Sequence, residues 1–136
     1  MPAIRDVSWI ATTVATGTTL VIPIPEYAEN DLLLAVIVAD TGTGTWTATG
    51  WTHVTGSPVT NTAQLACMYK IATASESDTT FTRSVSESFN GCIISIRDID
   101  ITNPFGATPI VNFTNQASAA KFNMQTISTN VNNSLV

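Results

Sequence analysis

The chain has one histidine, His53, so any Ser-His-Asp hydrolysis would have to run through it. It lies between Trp51-Thr52 and Val54 on a short strand-like run, and no Gly-x-Ser-x-Gly occurs anywhere in the sequence. The expected role is that of a partly exposed strand histidine. A structural or catalytic zinc needs three or four ligands, and one His with two separated Cys does not supply them. Seven of the ten carboxylates fall into three groups: Glu26, Glu29 and Asp31; Glu76 and Asp78; Asp98 and Asp100. A glycosidase would need two of them facing one sugar, but loop acids are ordinarily solvated. For Ca²⁺, a hard ion that takes oxygen ligands, the best set is Asp98, Asp100 and Asn103, yet it lacks the glycine and distal glutamate of an EF-hand loop. No catalytic residue, metal or cofactor is assigned, and the chain reads as non-enzymatic.

Aromatic side chains are the remaining candidates for recognition. Trp51 reads as core. Trp9, beside Val7 and Ile10, reads as core or interface. Trp46 stands alone among Thr and Gly in what looks like an exposed connection, which makes it the leading candidate for an exposed contact, as a protein-interface anchor ahead of a sugar platform. Trp46, Trp9 and the loop residue Tyr27 are therefore the expected interface or ligand contacts. Asn112-Phe113-Thr114 and Asn132-Asn133-Ser134 match the glycosylation pattern, which chance explains in so Asn- and Thr-rich a chain.

The elements that must position these residues are strands. The 136 residues suffice for one domain, 1–136, with a core of its own. Apolar residues make up 44% and charged residues only 11%, the polar remainder being dominated by 23 threonines. Threonine is β-branched and suits a pleated, half-exposed surface. With a net charge of −5 and five scattered basic residues, there is no basic stripe for phosphates, which argues against nucleic acid and against an anionic membrane. No charged start with an apolar run marks a secretory leader. The longest apolar run, Leu32–Ala39, is far short of the roughly 20 residues of a spanning helix. The chain therefore reads as soluble and made in the cytoplasm. Cys67 and Cys92 each sit in an apolar run, and two readings are open, buried free thiols or a cross-strand disulfide.

Helical periodicity is nearly absent; only residues 4–12 and 117–124 could form a turn or two. Alternation and short apolar runs predict strands over 8–14, 18–24, 32–39, 51–54, 63–71, 79–85 and 91–97, with weaker ones over 110–114 and 124–129 and a last one starting near 134. Pro23 and Pro25 should end the second strand or hold it at an edge. The run 32–39 should be buried on both faces. Residues 41–50 read as a flexible connection. Regular short strands with turns between them predict an all-β antiparallel sandwich with Greek-key or jelly-roll-like wiring.

Four segments, in this order and spacing, carry a resemblance: Asn30-Asp31-Leu32-Leu33-Leu34-Ala35-Val36, Gly50-Trp51-Thr52-His53-Val54, Tyr69-Lys70-Ile71-Ala72-Thr73-Ala74-Ser75-Glu76 and Ile96-Arg97-Asp98-Ile99-Asp100-Ile101-Thr102-Asn103-Pro104. Over about residues 7–105 the chain resembles a β-sandwich domain of bacteriophage virion proteins, also found in some bacterial surface proteins. Asn30 stands where that pattern has Gly, Ser77 where it has Pro, and Asp98-Ile99 where it has Gly-Val; these are turn and edge positions. Such domains often continue for another half-domain that opens like residues 127–136, so this chain is expected to be incomplete at its C-terminus or completed by another subunit, since an unfilled strand edge is a template for a second chain. The resemblance implies a structural role in the virion, as capsid decoration (cement), head fibre, fibre base or tail appendage. The expected partners are other virion proteins, such as the major capsid or fibre and tail proteins, and copies of the chain itself, for instance as a trimer. The alternative expectation is a carbohydrate- or receptor-binding module of a tail fibre or surface protein.

Overall fold

An uninterrupted run of Leu, Val, Ile and Ala suits a central strand, and Leu32–Ala39 is one, although only the Leu33, Ala35, Ile37 and Ala39 side is fully buried, Leu34 and Val36 being half-buried and Val38 42% exposed. In a computed structural model, which describes residues 2–9, 14–60 and 62–105, this run is β3, hydrogen-bonded antiparallel to a strand on either side. The other strands are β1 (Ala3–Trp9), β2 (Val14–Ile22), β4 (Trp46–Thr47), β5 (Thr52–His53), β6 (Val59–Thr60), β7 (Gln64–Ile71) and β8 (Thr79–Arg97). All pairings are antiparallel, and no helix occurs among the described residues. The all-β antiparallel expectation is met.

The strands form one hydrogen-bonded network in the order β1-β8-β3-β7-β5, with β2 and β4 on β8 and β6 on β7. β8 makes this possible. Its first half pairs with β2 and β4, and its second half with β1 and β3. Gly17 stands opposite Glu87 but Thr19 opposite Thr82, so β8 uses more residues than β2 across this corner and bends there. The bend folds one half of the sheet over the other. Leu20 and Ile22 of β2, Trp46 of β4 and Phe81 of β8 thereby join Leu33, Ala35 and Ile37 of β3, Met68 of β7 and Ile93 of β8 in one core.

Several elements differ from the sequence expectation. Residues 79–85 and 91–97 belong to a single strand: the intervening Ser-Glu-Ser-Phe-Asn contains no Gly or Pro to break it, Phe89 is buried, and Ser88 accepts a hydrogen bond from Asp40 N. The predicted helical turn near residue 4 is strand β1, because pairing with β8 satisfies its backbone where a lone turn would not. Residues 10–13, which share the predicted first strand, lie outside the described residues, as do the expected elements over 110–114, 117–124 and 124–129 and the last strand. β2 starts earlier than expected but stops at Ile22, before Pro23.

One glycine is required by close packing. A Cβ at Gly91 would lie 2.9 Å from the carbonyl oxygen of Val36 and 3.2 Å from side-chain atoms of Ile22 and Ile37. Gly91 pairs with Ile37 inside the β3–β8 ladder, so neither strand can move aside without loss of its hydrogen bonds. Gly91→Val should lower unfolding stability by about 1–3 kcal/mol through overpacking, measured by urea denaturation; unchanged stability would contradict this packing.

Candidate interaction surface

The residues with chemical potential are mostly committed to holding loops. His53 is half-buried; its Nε2 lies 2.9 Å from the carbonyl oxygen of Trp46 and its Nδ1 3.4 Å from Ser57 Oγ. A carbonyl can only accept, so Nε2 carries the proton and Nδ1 accepts from Ser57. Ser57 Oγ in turn accepts from Cys67 N at 2.7 Å. The imidazole is a brace between β4 and β5, with a backbone carbonyl where a hydrolase triad has a carboxylate.

Asp31 is buried at the entrance to β3. Its carboxylate accepts from Arg5 Nε at 2.6 Å, Ala28 N at 2.9 Å and Ser95 Oγ at 3.2 Å. Burial pushes its pKa up, but the bonds from Arg5 and Ala28 outweigh burial and hold it below the usual carboxylate value. Glu76 is opposed in the same way: burial raises its pKa, while Lys70 at 2.7 Å and the backbone and hydroxyl of Thr73 bring it below normal. Its own N–H donates to the Tyr27 hydroxyl at 2.7 Å. Tyr27, an expected contact residue, is thus half-buried and tied to the β7–β8 turn. Asp100 accepts from Thr102 N at 2.9 Å and Thr102 Oγ1 at 2.6 Å, closing a turn on itself. Among the described residues no three His, Cys, Asp or Glu side chains gather to hold a metal ion.

Trp46 is not the exposed aromatic expected from its Thr- and Gly-rich surroundings. It is 1% exposed. Its indole N–H donates to Gln64 Oε1 at 2.9 Å, its ring meets Phe89 edge-on at 5.2 Å, and the Arg83 guanidinium lies 5.6 Å from its centre. The small residues flanking it let the connection fold flat over the sheet: Gln64 Nε2 donates to Gly44 O, and Arg83 Nη2 donates to the carbonyls of Thr41 and Thr43. Arg83 itself is 1% exposed, with Nε and Nη1 unpaired. Its alternation with Phe81 and Val85 was the sequence signal for an inward-facing position.

The side of the sheet turned away from the core is apolar as well, with Leu32, Ile96 and Cys92 buried on it. Strand register aligns it in rows across β1, β8, β3 and β7. Ile4, Ile96, Leu32 and Ile71 form one row. The next is Val7, Ile94, Leu34 and Tyr69, and the third is Trp9, Cys92, Val36 and Cys67. Each lies on the side of the sheet opposite the core residues Leu33, Ala35 and Ile37. At its rim, on β1, Trp9 is 70% and Ile4 53% exposed. β1 is an edge strand, paired with β8 and with no second partner among the described residues. Cys67 and Cys92 both stand opposite Val36, one on each side. Two inter-strand spacings separate them, about 10 Å, too far for a disulfide, and both are free thiols. Burial raises both thiol pKa values, that of Cys67 to about 11.

Of the carboxylates held low, the two with little side-chain exposure, Asp31 and Glu76, contribute stability that is complete above the unfolded-chain pKa of about 4 and is lost as pH falls through the lower folded values. The melting temperature should drop below about pH 4, and Asp31→Asn together with Glu76→Gln should flatten that acid limb in a calorimetric pH series. An unchanged limb would contradict the assignment. Comparison with family models, with curated proteins and with solved structures finds no match.

Proposed function

We propose that the protein is a non-enzymatic structural component of a bacteriophage virion, a capsid decoration or fibre-base protein that works through protein–protein interfaces. The observation that carries the interface reading is Trp9, 70% exposed on an edge strand and in register with an apolar face. Tryptophan is the residue type most enriched among interface anchors, and an edge strand offers unpaired backbone groups to a second chain. The virion setting rests on the resemblance of the four segments. Backbone geometry supports their alignment: Asn30 and Asp98, which stand where the pattern has glycine, have φ of 72° and 59°, and Gly50 has 78°. These are left-handed values that glycine, asparagine and aspartate tolerate best.

The partners in this reading are other virion proteins and further copies of the chain, and its location is the virion after synthesis in the host cytoplasm. Few charges need desolvating on so neutral a surface, and many copies on one symmetric shell add avidity to individually weak contacts. The glycan- or receptor-binding alternative loses Trp46 as a stacking platform, since that ring is buried, and would have to use Trp9.

Purified particles from the phage that encodes the chain should contain it in many copies. Trp9→Asp should weaken its attachment by about 30-fold, the equivalent of a hot-spot loss of about 2 kcal/mol, while leaving the melting temperature of the free protein unchanged. Particles without the chain would overturn the virion reading. Undiminished attachment of Trp9→Asp would overturn the role of this surface.

A further inference from the structure

We propose that residues 41–45 are a lid, and that Arg83 beneath them binds a tetrahedral oxyanion of the phosphate class when the lid lifts. The inference rests on the surroundings of one buried guanidinium and does not depend on the virion reading.

A guanidinium keeps its charge in a protein and carries five N–H donors. The place of Arg83 on β8 turns it inward: it pairs with Trp46 of β4, between the exposed Thr82 and Ser84. There it is 1% exposed. Only Nη2 is bonded, to Thr41 O at 2.8 Å, to Thr41 Oγ1 at 3.5 Å and to Thr43 O. Nε and Nη1, which between them hold three of the five N–H bonds of a guanidinium, are buried and have no acceptor. No carboxylate compensates the charge, since the ion pairs among the described residues are Arg5–Asp31, Lys70–Glu76 and Arg97–Asp98. The Trp46 ring, centred 5.6 Å away, offers no lone pair. Unpaired donors on a buried charge are costly, so this site has an unmet demand for acceptor oxygens.

What stands over those donors is the connection between β3 and β4. Thr41-Gly42-Thr43-Gly44-Thr45 has no regular secondary structure, and none of its residues is fully buried. Burial therefore does little to hold it. It is tied across its middle by Arg83 and by Gln64 Nε2, which donates to Gly44 O at 2.8 Å. At its far end Thr45 N donates to Ser84 Oγ, and Ser84 N to Thr45 O. Gly44 has φ of 103°, and a Cβ there would lie 3.2 Å from Arg83 Nε. The glycine thus lets the backbone close down onto the guanidinium. Lifting these five residues uncovers Nε and frees Nη2. The segment contains no acid and adds three hydroxyls and two glycine N–H groups as donors. Such a donor set suits a ligand with negative charge and several acceptor oxygens, and a tetrahedral oxyanion has more of them than a carboxylate.

Phenylglyoxal modifies accessible guanidinium groups, and peptide mass spectrometry of the full-length protein follows each arginine separately. Arg97, with its side chain 52% exposed, is the internal reference. Arg83 should react on the order of 100-fold more slowly than Arg97, yet faster than global unfolding allows. Inorganic phosphate at about 50 mM should slow Arg83 by about 5-fold relative to sodium chloride of equal ionic strength, and leave Arg97 unchanged. Gly44→Ala, whose Cβ disfavours the closed backbone, should speed Arg83 by about 10-fold. Modification of Arg83 only at the rate of global unfolding would overturn the lid, as would a Gly44→Ala rate no higher than that of the wild type. Phosphate that leaves Arg83 unprotected, or slows both arginines alike, would overturn the oxyanion site. Arg83→Met replaces a buried charge with an apolar side chain, a change that proteins often tolerate. Phosphate should raise the melting temperature of the wild type and not of this variant; an equal rise in both would overturn the assignment to Arg83. The wild-type labelling needs no variant, so it decides the case even if a variant fails to fold.

Discussion

Everything in this fold depends on one strand serving two halves of a sheet. β8 takes four strands in turn, β2 and β4 along its first half and β1 and β3 along its second. Because it is covalently continuous, its bend fixes how the halves close over the core, and no loop is needed between them. The absence of a Cβ at Gly91 lets β3 and the Ile22 side chain approach just beyond the corner. Non-local pairings dominate as a result: β1 and β8, at opposite ends of the described chain, are neighbours. Such a topology forms slowly, since loop closure must precede the contacts that reward it.

The polar side chains follow from this constraint. Folding a sheet onto itself leaves loop backbones near the core edge, and their donors need partners. Asp31 supplies a carboxylate to Arg5, Ala28 and Ser95, Glu76 to Lys70 and Thr73, and the ring of His53 joins Trp46 to Ser57. Groups that might have done chemistry hold turns instead. At the rim of the sheet, on edge strand β1, Trp9 and Ile4 remain exposed.

How much of this was legible in the sequence varied with the kind of signal. The run Leu32–Ala39 was placed to the residue, because an unbroken apolar stretch between two aspartates has few alternatives. The two faces of β7 were also legible, since Leu65, Cys67, Tyr69 and Ile71 alternate with Ala66, Met68 and Lys70. Alternation alone could not say that the apolar set would face outward; only the pairing with β3 decides that. Trp46 was misplaced for a physical reason. Thr and Gly neighbours read as an exposed loop, but its position is set by partners distant in sequence, Gln64, Arg83 and Phe89. The continuity of β8 was hidden because residues 86–90 carry no apolar alternation, and long-range pairing overrides local propensity. Trp9 was read as core or interface, and its exposure on edge strand β1 removes the core reading.

Native mass spectrometry of the full-length chain and of Trp9→Asp in dilute solution tests the central claim, that this protein works by presenting a surface to other chains, most directly. The account predicts a discrete homo-oligomer for the wild type, a trimer or larger ring, that falls to a folded monomer when Trp9 is replaced. A wild-type chain that stays a folded monomer over the whole accessible concentration range, indistinguishable from the variant, would contradict it.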